Sequence, residues 1–535
     1  MKAPSLLRSM LTFSGGTFAS RILGLVREMA IAWVFGANAT TDAFWVAFRI
    51  PNFMRRLFAE GSFSVAFVPV LTEVKETRSH AELKELVART SGTLGMILLV
   101  VTALGVLGAG WVTRGFAPGS IDEPVKFALT TDLLRLTFPF LLFVSLTALA
   151  GGILNSFNKF ALPALTPIIL NVCMIAGALW LSPHLDVPIM AMGWAILAAG
   201  ILQLLVQFPA LRKLDLLVLP RWGWRHPGVR KGLRLMVPTL FGSSVAQINL
   251  LLDTLIASFL ITGSQTWLAQ SDRLLEFPLG IFGVALGTVI LPSLSRHHVA
   301  TDHDGFSRAL DWGLRTTLLI AVPAMLALVL LAKPILFTLF QHGAFTPRDV
   351  DMASMSLAAL SFGLPAFALV KVVAPAFYAR QDTRTPVRAG VIAMVASMLL
   401  NGVFIGALLM IWQQPGDSAS SWWARLSEVP GLHMGLALAS ACASYLNLSL
   451  LWRALRREGI YQAQPGWLRH MIRLTCACVA MVAVLWAGMT LWPDWSSLAA
   501  GGRVVRLGGL IAAGSATFVV VLFAGGFRLR DLRGP

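Results

Sequence analysis

Charge is scarce in this chain, and what there is leans to one sign. Only 13% of the 535 residues are Asp, Glu, Lys or Arg, and 26 acidic residues face 43 basic ones. So little charge excludes a soluble globular domain, in which about a quarter of residues are charged. Tyrosine is nearly missing, at 3 residues. The four cysteines, Cys173, Cys442, Cys476 and Cys478, lack metal-ligand spacing and read as small apolar side chains. No G-x-x-x-x-G-K-[ST] stretch occurs, so the chain brings no nucleotide motor of its own. Nor is there a carboxylate cluster of the kind a metal-dependent phosphoglycosyl transferase would need at a membrane face. What is abundant is apolar: 56% hydrophobic residues and a mean hydropathy of +0.73. That composition defines an all-α polytopic membrane protein.

A hydrocarbon core of about 30 Å takes about 20 apolar residues per helix. Such runs begin near residues 10, 42, 91, 131, 162, 188, 233, 270, 314, 351, 387, 432, 470 and 504, which predicts about fourteen transmembrane helices. Lys and Arg concentrate in every second loop, for example from Arg212 to Arg234 and from Arg453 to Arg473. This bias predicts a multi-pass protein with both termini in the cytoplasm. It also accounts for the net charge of +17 without nucleic acid, because no basic domain collects it. Arg21 and Arg27 interrupt the first apolar run, which therefore does not read as a signal peptide. One offset separates Pro69 from Pro292 and Pro163 from Pro386, each with similar flanking residues. Two parallel, pseudo-symmetric six-helix lobes are therefore expected at 1–212 and 233–458. A basic linker at 213–232 joins them, and two extra helices occupy 459–535.

The chemistry concentrates between Ser20 and Gly61. The stretch S-R-I-L-G-L-V-R-E is followed by T-D-A-F-W-V-A-F-R-I-P-N-F-M-R-R-L-F-A-E-G. Five arginines, Arg21, Arg27, Arg49, Arg55 and Arg56, lie in sequence apolar enough for a bilayer. Each costs at least about 2.5–3.5 kcal/mol at a bilayer centre, and such residues mark bundle interiors or substrate paths. Helical spacing puts Ser20, Gly24 and Arg27 on one stripe, with Arg21 and Glu28 beside it. Arg49, Asn52 and Arg56 form a second stripe, Arg56 and Glu60 pair one turn apart, and Arg55 is offset. The plain alternative is that these arginines only neutralise Glu28, Asp42 and Glu60, but buried ion pairs give little net stability. Arg49 and Arg56 could instead snorkel to the headgroups. Further on, Asp272, Arg273 and Glu276 repeat the motif, and Arg273 is expected to reach the same cationic cavity as Arg56. Lys371 is a lone cation in an apolar run, and Asp253 is either a cation or proton site or a structural hydrogen-bonder. His297, His298, Asp302 and His303 read as a solvated loop rather than a metal site.

These stretches, with S-D-R-L-L-E-F-P-L-G-I-F-G-V-A-L-G-T-V-I-L-P-S-L, resemble the MurJ (MviN) family of bacterial lipid II flippases. That family belongs to the multidrug/oligosaccharidyl-lipid/polysaccharide (MOP) exporter superfamily. The resemblance covers essentially the whole chain. It implies a V-shaped pair of lobes around a central cationic cavity, working by alternating access in the bacterial cytoplasmic (inner) membrane. By motif, the family's essential arginines fall on Arg21, Arg27, Arg55 and Arg273, and its essential aspartate on Asp42. The resemblance places the isoprenoid tail along the last two helices and implies lipid II as substrate, with membrane lipids around it. Cell-wall synthesis or division proteins remain open as partners. No cofactor or metal is expected, and coupling to the membrane potential or a monovalent ion is open. Glu60, Glu276 and Asp42 are expected to position or release the arginines. The competing readings are a flippase for another polyprenyl-linked glycan of O-antigen type and, more distantly, a drug/cation antiporter.

Overall fold

A computed structural model of the chain describes residues 6–56, 64–412 and 422–528. Among the described residues every regular element is helical, as lipid demands by offering backbone groups no hydrogen-bond partner. Contacts divide the chain into two units, Met1–Thr266 and Trp267–Pro535.

The first unit holds α1 (Leu6–Phe35), α2 (Ala39–Arg55), α3 (Ser64–Thr77), α4 (His80–Leu107), α5 (Ala109–Phe116), α6 (Pro124–Thr137) and α7 (Phe140–Ser156). It continues with α8 (Ala161–Ala176), α9 (Met190–Leu205), α10 (Phe208–Lys213), α11 (Pro227–Ala257) and the first residues of α12 (Ser264–Val299). Local chemistry sets the helix starts. The Asn38 side-chain oxygen accepts from the backbone N–H of Thr40 and Thr41 at 3.0 and 3.2 Å, capping α2. Ser79 caps α4 in the same way. Pro124 and Pro227 open α6 and α11, where a missing N–H is harmless. Helix α8 packs on α1 and α9, and α2 packs on α6.

The second unit holds the rest of α12, then α13 (His303–Leu330), α14 (Ala332–Leu339), α15 (Pro347–Ser361), α16 (Leu364–Tyr378) and α17 (Arg384–Ile411). After α18 (Trp422–Glu428) come α19 (His433–Arg457), α20 (Trp467–Leu491) and α21 (Ala500–Ala524). A reciprocal capping box between Thr346 and Asp349 starts α15. The core is apolar, centred on Leu310, Leu314, Val373, Phe377 and Leu451.

The internal repeat appears in the helix bounds themselves. The starts of α13, α14, α15 and α17 follow those of α4, α5, α6 and α8 by one constant offset, the same that separates the paired prolines. Burial follows the repeat: the spans Pro124–Ser156 and Pro347–Tyr378 are 61% and 56% buried, whereas Ala161–His184 and Arg384–Ile411 are each 28% buried. The first pair is therefore the more enclosed in its unit and the second the more exposed.

Ten helices among the described residues are long and apolar enough to cross a membrane. They match the runs expected near residues 91, 131, 162, 188, 314, 351, 387, 432, 470 and 504. The other four runs fall on α1, α2, α11 and α12, the helices that carry the charged motifs or run through residues outside the description. Length and hydropathy thus give ten spans, and fourteen is not established by them. The contact division also falls later than the basic segment 213–232, because α11 packs on α2, α3, α4 and α5.

The two extra helices pack on each other and on α13 and α14. Arg503 of α21 is buried and donates to the carbonyls of Phe337, Gln341 and Ser496 at 3.0, 3.1 and 2.8 Å. The segment before α20 is pinned to α13, where Asp311 accepts from the Tyr461 hydroxyl and the Trp467 indole N–H, each at 2.6 Å. Arg315 pairs with the same carboxylate at 2.6 Å and lies over the Trp467 ring.

Candidate functional site

On α1 the expected stripe is present. Gly24, Arg27 and Glu28 are buried, and Ser20 and Arg21 are half-buried. Arg27 pairs with its neighbour Glu28 and donates to the Asn171 side-chain oxygen of α8 at 3.1 Å. The Asn171 amide then donates to the Ser20 carbonyl at 3.0 Å. One amide therefore fixes Arg27 relative to the turn that begins the stripe. Glu28 supplies only part of what Arg27 can bind: the Arg27 Nε and the second Glu28 oxygen are buried without a hydrogen-bond partner among the described residues. A buried guanidinium with a spare donor costs free energy unless something else occupies it.

On α2 the charged residues separate into two groups. Near the helix end, Arg55 donates to the Asn52 side-chain oxygen at 3.0 and 2.9 Å. Arg56 reaches Gln247 of α11 at 3.4 Å. Asn52, Arg55 and Arg56 are all half-buried. Glu60, the expected partner of Arg56, lies outside the described residues.

Near the start of α2, Asp42 and Arg49 do something else. Asp42 is 2% exposed. Its carboxylate accepts from the backbone N–H of Gly263 at 2.7 Å, the N–H of Thr266 at 3.0 Å and the Thr266 hydroxyl at 2.8 Å. These are the orphan donors at the beginning of α12, so Asp42 acts as a helix cap supplied from another helix. The carboxylate sits on two backbone N–H groups and the Thr266 hydroxyl. Arg49 is buried as well and donates to the Thr254 hydroxyl at 2.6 Å and the Gln265 side-chain oxygen at 3.3 Å, while Gln265 donates to the Thr254 carbonyl at 2.7 Å. Arg49 is thus not snorkelling. Together Asp42 and Arg49 tie α2 to the α11–α12 turn.

In the second unit Arg273 pairs with Glu276 at 3.3 Å, as its spacing predicts, with the arginine side chain 24% exposed and the glutamate 49%. Asp272 is half-buried beside them. Lys371 lines a small cavity with Pro278, Thr317 and Leu364. Asp253 accepts from Asn249 one turn earlier at 3.2 Å. His297 pairs with Asp302, which caps α13 through the Gly305 N–H at 2.8 Å. That caps a helix start beside a loop.

Asn171, Thr254, Gln265 and Thr266 were not singled out from the sequence. Only Asn171 carries a signal there, as a lone amide inside the apolar run of α8. The others become legible once the α11–α12 turn is known to face α2.

An all-helical, internally repeated chain with ten membrane-length apolar helices among its described residues has the architecture of a polytopic membrane protein. A solved inward-facing multidrug resistance MATE transporter of the MOP superfamily shares the fold at a TM-score of 0.62 and 11% identity, covering 84% of this chain and 98% of its own. A solved structure of lipid II flippase MurJ in an inward closed conformation matches more fully, at a TM-score of 0.76 and 27% identity over 95% of this chain and 97% of that one. The profile of the family described as lipid II flippase MurJ matches residues 31–499. The chain is 46% identical over 535 residues to the probable lipid II flippase MurJ of Vibrio cholerae, covering 99% of this chain and 98% of the relative. It is 41% identical to the lipid II flippase MurJ of Burkholderia cenocepacia, over 99% of each. This chain belongs to the MurJ family.

Proposed function

We propose that this chain is a lipid II flippase, a multi-pass transporter of the bacterial inner membrane that moves the lipid-linked peptidoglycan precursor across the bilayer. The observation that carries the reading is end-to-end similarity to relatives of that name, over 99% of the chain. The physical chemistry of the first helices supports it. Lipid II carries a pyrophosphate, and guanidinium groups bind phosphate oxygens bidentately and replace the water a dianion loses.

In this reading Arg21, Arg27, Arg55 and Arg273 hold the pyrophosphate. Ser20, Gly24 and Asn52 shape the surface around it, and Glu28, Asp272, Glu276, Arg56 and Lys371 complete the charge network. The unfilled donor of buried Arg27 supports its place in the set. Asn171 is a positioning residue, accepting directly from Arg27 while its own amide donates to the Ser20 carbonyl. The isoprenoid tail stays in lipid along α20 and α21. Both termini face the cytoplasm, where the basic loops gather. Work comes from the membrane potential, an ion gradient or consumption of the product, since no nucleotide motif is present. The test is expression of the wild-type chain in cells depleted of their own lipid II flippase, reading growth together with the appearance of labelled lipid II on the outer face. Rescue with outward lipid II is expected; good expression without either result would point to another lipid-linked glycan.

A further inference from the structure

The last two helices carry a basic cleft beyond the apolar tail path proposed above. A cleft of about 550 Å³ opens between the beginning of α20 and the end of α21, lined by Leu468, Arg469, Ile472, Arg473, Val521 and Gly525. Neither helix contains an acidic residue. Arg469 and Arg473 are one turn apart on α20, an arrangement in which like charges repel, and neither has an acidic partner among the described residues. Arg469 is exposed. Arg473 lies over the turn that ends α21: its Nη2 is 3.1 Å from where a Cβ on Gly526 would be, and Gly526 has a φ of +81° that only glycine adopts easily. Even so, the Arg473 Nε is buried without a hydrogen-bond partner among the described residues. The walls are apolar and open to the surroundings, with Leu468 76% and Ile472 54% exposed.

Two adjacent guanidiniums with no acidic partner among the described residues, above an open apolar groove at the basic end of two lipid-facing helices, have the chemistry of a phospholipid site. We propose that this cleft binds an anionic phospholipid of the surrounding leaflet, its headgroup phosphate held by Arg469 and Arg473 and its acyl chains lying along Ile472 and Val521. This rests on α20 and α21 lying in the membrane, and it is independent of which substrate is flipped. The basic end of a span is where anionic headgroups are met, and interhelical basic pockets there bind such headgroups.

Cys476 lines the same cleft and is exposed, whereas Cys478 is buried and Cys173 and Cys442 are half-buried. Its alkylation by a maleimide, followed by mass spectrometry on the full-length protein in detergent, therefore reports occupancy. Phosphatidylglycerol is expected to slow alkylation of Cys476 at concentrations where phosphatidylcholine does not. Removing one arginine should weaken that protection about fivefold, and removing both about 30-fold, from the usual worth of one basic side chain at an anionic surface. R469Q alone, at an exposed position, gives the fivefold effect with the fold intact, and R469K/R473K keeps most of the protection. Equal protection by the two lipids would overturn the proposal, leaving only an apolar groove. So would equal protection by inorganic phosphate alone, or protection by phosphatidylglycerol that survives R469Q/R473Q.

Discussion

Asp42 makes the sharpest stability prediction, because its three acceptor contacts all fall on the first turn of another helix. In Asp42→Ala the N–H groups of Gly263 and Thr266 lose their partner in a site where Thr266 is fully buried. Hydrogen bonds to a charged group contribute about 1.5–3 kcal/mol each, and a lost helix cap costs about 0.5–2 kcal/mol. These effects overlap, since the turn can relax and admit water, so a net cost of about 2–3 kcal/mol for keeping the turn closed is reasonable. At 1.36 kcal/mol per tenfold, local opening becomes about 30- to 150-fold more frequent. Hydrogen exchange on the protein in nanodiscs reads this directly as faster exchange at the Gly263 and Thr266 amides. Exchange in the middle of α13 and α15 should stay as in the wild type. Asp42→Asn keeps one acceptor oxygen and should fall between the two. Unchanged exchange at 263–266 in Asp42→Ala would refute the capping role, as would equal acceleration throughout the chain.

Asn171→Leu should leave Arg27 and the Ser20 carbonyl short of a partner, at about 1–3 kcal/mol for a buried polar group. The protein should still be inserted, but lipid II flipping should drop, read as failed rescue at normal membrane levels. Arg503→Met removes a guanidinium that three carbonyls share, and should loosen α21 from α14, read as faster proteolysis within 492–499 and a lower unfolding temperature in detergent. That loop also has a pH signature. Hydrogen bonds from Ser497 and Ser496 hold the Asp494 carboxyl down at about 2. A depressed carboxylate contributes its stability above its unfolded value, near 4, and loses it as pH falls toward 2. Pepsin cleavage in 492–499 should accordingly rise between pH 4 and pH 2 in the wild type, and Asp494→Asn should remove that dependence.

The architecture was readable because its physical causes are local. A bilayer imposes length and apolarity on each helix, so ten spans appear at the expected places, and a duplicated sequence gives a constant offset that the helix starts repeat. On α1 and α2 the arginines and acids interrupt the apolar run that marks a span. Arg27 with Glu28, Arg55 with Asn52 and Arg273 with Glu276 were legible because helical spacing alone brings each pair together. The contacts of Asp42 and Arg49 are not legible in the sequence, because their partners, Thr266, Thr254 and Gln265, lie more than two hundred residues away on a turn with no distinctive composition. The packing of α11 on α2, α3, α4 and α5 is hidden likewise, since the basic segment near 213–232 marks only a loop.

The decisive experiment concerns the four arginines. Arg21→Ala, Arg27→Ala, Arg55→Ala and Arg273→Ala would each be expressed, at membrane levels matched to the wild type, in cells depleted of their own lipid II flippase. Outward lipid II and growth would be read together. Recognition of a pyrophosphate by these side chains predicts that the wild type restores both and that each alanine variant, though present, restores neither. Full rescue by the alanine variants would show that the arginines are packing ion pairs and would contradict the binding site proposed here.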